Sequence, residues 1–137
     1  MSDWPVIEQP LCDHLQASTS FPWTIEGGHL NDRKPLGIVQ VSGGGHDLNL
    51  EHTPDVEVTL IGPTRDGLWQ MARQVDRAMV GLNPGGIHPH EGTPVFVDEV
   101  ATVFGWRIDP DRGTSTYRVA TATFNLTLRP QGDDEAP

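Results

Sequence analysis

Two short stretches hold the residues best placed to do chemistry. In VSGGGHDLNL, residues 41–50, three consecutive glycines follow an extended segment and run into His46 and Asp47, as a phosphate-cradling loop would. In IHPHEG, residues 87–92, His88, His90 and Glu91 offer two imidazoles and a carboxylate, a donor set suited to a divalent metal and metal-assisted hydrolysis. Each signal is weaker than its residue types suggest. A phosphate loop needs a Lys-Ser or Lys-Thr pair to close it and a helix whose N-terminus faces the anion. A dinucleotide fingerprint also needs a helix directly after its glycines. Here GGGHDLNLEHTPDV continues as extended chain, with Pro54 ahead of the next strand. The glycines are therefore read as a sharp turn or bulge where the chain reverses between strands.

Zinc sites are marked by helical i, i+4 spacing or paired cysteines. His88 and His90 instead flank Pro89 in a glycine- and proline-rich connection, while His46, Asp47 and His52 lie elsewhere. If the connection is extended, both histidines project to one side, as at a surface metal site; the plainer reading is polar loop residues. Ser42 lacks the glycine two positions earlier that a nucleophile elbow requires. Cys12 has only His14 as a nearby cation and reads as a small core or helix-face residue rather than a nucleophile. The carboxylate pairs Asp98/Glu99 and Asp133/Asp134 fall in a strand and in the tail. No catalytic, cofactor-binding or metal constellation is assigned, and no cofactor is expected.

Composition narrows the partners. Nineteen acidic residues against nine basic ones give a net charge of −10, and Lys34 is the one lysine. Such a chain cannot hold nucleic acid by neutralising phosphates, which takes clustered Lys and Arg. A single cysteine excludes an internal disulfide and fits a reducing compartment. MSDWPVIEQP has neither the basic start nor the apolar run of a secretory leader, and no segment approaches the ~20 apolar residues of a membrane span. The expectation is a soluble protein made and used inside a cell.

The elements that must position these residues are clearer than the residues' chemistry. WPVIEQPLCDHLQAS predicts a short first helix, with Pro10 at its first position and Leu11 and Leu15 one turn apart. FPWTIEGGH reads as a short extended piece and a glycine turn, and PLGIVQVS as a strand. DVEVTLIG alternates Val56, Val58 and Leu60 with Glu57 and Thr59, the pattern of a sheet wetted on one face. A helix follows, with Thr64 as N-cap and Asp66 in its first turn. Its apolar stripe is Leu68, Ala72, Val75, Met79 and Leu82, and NPGG at 83–86 ends it. Trp69 and Val80 share a flank off that stripe, where a tryptophan either packs under a loop or meets another subunit. TPVFVDEVATVFGW is a long extended run with apolar residues in both alternating sets. RIDPDRGTS then turns the chain into an antiparallel strand whose Ala120, Ala122, Phe124, Leu126 and Leu128 face one way. Tyr117, Val119, Thr121, Thr123, Asn125 and Thr127 face the other. Residues 1–130 are expected to form a single α+β domain: a mixed, mainly antiparallel sheet with one long and one short helix packed on it. Residues 131–137, QGDDEAP with its acidic centre, have nothing to bury and are expected to be a disordered tail.

This order of elements resembles the tail terminator proteins (tail completion or minor tail proteins) of long-tailed bacteriophages. The resemblance rests on PLGIVQVSGGG, on the strand-to-helix passage VTLIGPTRDGLWQMA, on the turn GWRIDPD and on YRV…TFNLTLRP, and covers roughly residues 4–130. The two prolines near the N-terminus depart from the pattern and bear on the length of the first helix. The resemblance implies a structural virion protein of the tail or neck, assembled in the host cytoplasm, without enzymatic activity. It further implies a homohexameric ring that caps the tail tube protein, meets the head–tail connector or stopper protein, touches DNA only transiently in its channel and involves no membrane. A ring needs a heterologous interface; Trp69, Val80 and Trp106 are its candidates. An acidic lumen would let DNA pass without sticking. Another neck component, such as a connector or stopper, is the nearest alternative. A metal-assisted hydrolase using His88, His90 and Glu91, or a cellular binding module, is more distant.

Overall fold

A computed structural model describes residues 7–25, 35–47, 51–87, 95–110, 113 and 117–128, with backbone alone at 42–47, 51, 52 and 84. The elements in chain order are α1 (Glu8–Ser18), β1 (Trp23–Thr24), β2 (Leu36–Asp47), β3 (Glu51–Gly62), α2 (Arg65–Val80), α3 (Leu82–Gly85), β4 (Val97–Asp109) and β5 (Arg118–Leu128). They build a five-stranded sheet in the order β1-β2-β3-β5-β4. Only β1 and β2 pair in parallel; the other three ladders are antiparallel. The fold is α+β. Because β5 pairs antiparallel with both β3 and β4, those two strands run the same way. Their connection must therefore return along the sheet, and α2 is that crossover.

Local sequence explains α2 well. Thr64 is extended, and its Oγ1 accepts from the Gly67 N–H at 3.0 Å, satisfying one orphan donor of the first turn. Leu68, Ala72, Val75, Met79 and Leu82 are all buried, joined by Met71 and Ala78. The helix stops earlier than NPGG suggests. It ends at Val80, and residues 82–85 form the separate short α3, in which Asn83 leaves helical geometry (φ −121°, ψ 106°). The Asn83 side chain donates to the Asp98 carbonyl at 2.7 Å, an outside contact that competes with continuing the helix. Gly86 follows at φ 75°, and a Cβ there would stand 2.8 Å from the Val95 carbonyl oxygen.

α1 begins at Glu8, so Pro10 is its third residue, not its first. The shift is harmless because first-turn N–H groups have no helical acceptor in any case. Leu11 and Leu15 are buried as the spacing predicts. Both helices cover one face of the sheet, where Val39, Val56, Val58, Leu60, Ala120, Ala122, Phe124, Leu126 and Leu128 meet Leu11, Leu15, Leu68, Val75 and Met79.

Three strand expectations need correcting. The glycines do not reverse the chain: Gly43, Gly44 and Gly45 continue β2, paired to Asp55, Pro54 and Thr53, with a register shift between Val41 and Gly43. The bulge is there, but the reversal comes later. Nor does Pro54 precede β3; it sits inside it. On the β5 side the ladder skips from His52–Leu128 to Asp55–Asn125, and Asn125 Nδ2 fills the gap by donating to the Thr53 carbonyl (3.0 Å) and to Asp55 Oδ1 (2.9 Å). Finally, the far face of the sheet is not wet throughout. Leu36, Ile38, Ile61, Tyr117 and Val119 form a second buried cluster there, and Thr59 and Thr121 are buried on the same face.

Candidate functional site

The chemical candidates do not converge. His88, His90 and Glu91 lie outside the described residues, as do Asp133 and Asp134. The β2–β3 register sets His46 opposite His52 and Asp47 opposite Glu51. Among the described residues, no group of three or more His, Cys, Asp or Glu could hold a metal ion. Cys12 is buried on α1, and burial pushes its thiol above the ordinary range, with the charges of Asp13 and Glu8 adding to the effect. A thiol held protonated in this way is a poor nucleophile at neutral pH. Asp98 and Glu99 are exposed on β4.

The interface candidates do converge. On α2, Trp69, Asp76 and Val80 are spaced so that they share one flank. Trp106 of β4 donates from Nε1 to Asp76 Oδ1 at 2.9 Å, which fixes that flank against β4. Trp106 is half-buried and meets Phe124 edge-on, ring centroids 6.1 Å apart. Trp69 is also half-buried against the main core, whereas Val80 is 69% exposed. Both tryptophans thus spend much of their surface on intrachain packing, and Val80 far less.

Three further residues on this side escape simple sequence reasoning: Phe96, Val103 and Phe104, exposed by 53%, 45% and 56%. The available signal was the run TPVFVDEVATVFGW, apolar in both alternating sets, which a strand wetted on one face would not be. β4 explains it. The strand lies at the sheet edge, and register shifts at 97/99, 102/104 and 104/107 change which residues face inward. Val100, Trp106 and Ile108 pack on the core, while Phe104 turns to the far face opposite Thr123. The Arg107 guanidinium lies over the Phe104 ring at 5.6 Å. An exposed edge with apolar side chains on and beside it is equipped to bind a protein surface.

Comparison with protein-family models gives no matching family, and comparison with curated proteins gives no match. No helix among the described residues is long and apolar enough to cross a membrane.

Proposed function

We propose that this chain is a structural subunit of a phage tail, a tail terminator. Six copies would form a ring that caps the tail tube, joins it to the head connector and leaves a channel for DNA. Two things support the reading: the resemblance of the chain's element order to that family, and an α+β subunit that keeps its helices on one face of the sheet. The observation that carries it is the placement of the exposed large hydrophobics of the described residues beside one sheet edge. That is the provision a subunit makes for neighbours. A net charge of −10 suits a protein past which DNA must slide.

The test is a reconstruction of intact particles in which this chain is located by a fused tag. Six copies around the tube, at the end nearest the head, are the expected result. One or two copies, or a position at the distal tip, would overturn the proposal.

A further inference from the structure

All four exposed large hydrophobics of the described residues lie on the β4 side: Val103 and Phe104 in the strand, Phe96 just before it, and Val80 at the end of α2. Among those residues no strand lies beyond β4. Copies with a net charge of −10 repel, so two of them can meet only where charge is sparse or opposite. The centre of β4 meets that condition: residues 100–106, VATVFGW, carry no charge, with Glu99 before them and Arg107 after.

The register makes this arrangement self-complementary. Glu99 pairs with Thr127 and Arg107 with Thr121, so both charges stand on the face of the sheet away from the helices. Val103 is the midpoint between them. If two β4 strands run antiparallel about Val103, Glu99 of each copy falls opposite Arg107 of the other. Val100 then falls opposite Trp106, both on the helix-covered face. Residues 102–104, where the ladder to β5 is bulged, lie on the axis; Thr102 pairs with Phe124 and Phe104 with Thr123, so these two stand on opposite faces and the matched register is that of 99/107 and 100/106.

We propose that a second copy of this chain docks on β4, edge to edge and antiparallel, about a two-fold axis at Val103. The contact is held by two symmetric Glu99–Arg107 pairs around an apolar centre. An isologous contact closes on itself and builds no ring. It is therefore a state of the free chain and does not rest on the tail reading; in a ring the same edge is released to a different neighbour.

The experiment is sedimentation equilibrium of the full chain over a range of concentrations. Wild type is expected to have the mass of two chains. Glu99→Arg and Arg107→Glu are each expected to weaken association at least tenfold, and the double reversal to restore it. Arg107→Glu also removes the cation over Phe104, so recovery in the double variant separates pairing across the axis from a local effect. A second measurement is Val103→Cys in a Cys12→Ala background, which should crosslink two chains on mild oxidation. A single-chain mass at high micromolar concentration would overturn the proposal, as would association indifferent to both reversals. A six-copy ring on tail tubes with a single-chain mass in solution would leave the tail reading standing and remove this one. A two-chain species without a ring would do the converse.

Discussion

At one edge of the sheet, β2 is flanked by β1, by the Trp23 ring and by Glu8 of α1; at the other, β4 runs for thirteen residues with no strand beyond it among those described. The first edge is closed by close fitting. Gly37 pairs with Trp23, and a Cβ on Gly37 would stand 2.6 Å from the indole, so the ring lies directly on bare backbone. Trp23 stacks on Phe21 at 5.3 Å and donates from Nε1 to Thr19 Oγ1 at 2.7 Å. Where β1 ends, the Val41 N–H donates to Glu8 Oε2 at 2.7 Å, a carboxylate standing in for a strand. Natural sheets blunt their edges to avoid stray pairing. Here one edge is covered from within the chain as far as Val41, while the other keeps exposed apolar side chains between Glu99 and Arg107. The difference makes the first edge the place to test stability and the second the place to test the proposed association.

That assignment can be broken by unequal mutations. Trp23→Ala removes a buried aromatic from the sealed edge and should cost about 3–5 kcal/mol in denaturant unfolding. A loss under 1 kcal/mol would mean that β1 is dispensable. Glu8→Ala leaves the half-buried Val41 N–H without its acceptor and should cost about 1 kcal/mol by the same measurement.

The third test concerns Cys12, on the helix that covers the sealed edge, and acts only in alkaline solution. Its folded-state pKa is raised, so the native protein holds the thiol proton more tightly than the unfolded chain does. The stabilisation is fully present below the ordinary thiol range and is lost as pH rises through the raised value. Unfolding midpoints from neutral to alkaline pH should fall more steeply for wild type than for Cys12→Ala, and thiol labelling of the native protein should be slow at neutral pH. The smallest effect belongs to the open edge: Phe104→Ser should leave the stability of the single chain within about 0.5 kcal/mol of wild type. A large loss there would show that Phe104 supports the core.

The parts legible in the sequence were those with a local period. The stripe of α2 and the inward set of β5 depend on neighbours three, four or two positions away, and both read correctly. Pro54 inside β3 did not, because the group that compensates for it, Asn125, comes from 71 residues further along. The glycines of β2 looked like a reversal because glycine suits both a turn and a bulged strand; pairing with Thr53, Pro54 and Asp55 decides between them. Trp69 and Val80 stand off the apolar stripe and Trp106 stands in the strand, which local sequence shows, but nothing local says that Asp76 ties Trp106 to α2. Phe104 was hidden because each extra residue in β4 shifts the alternation by one.

The seal made by Trp23 on Gly37 also gives the sheet a handed rim. A template that accepts a strand on one flank alone cannot be copied end to end, because each added molecule covers the accepting flank and offers none in return. Under the docking proposed for β4, stacking by strand addition would therefore halt after one step. Without Trp23 on Gly37, the same sequence would present a second accepting flank.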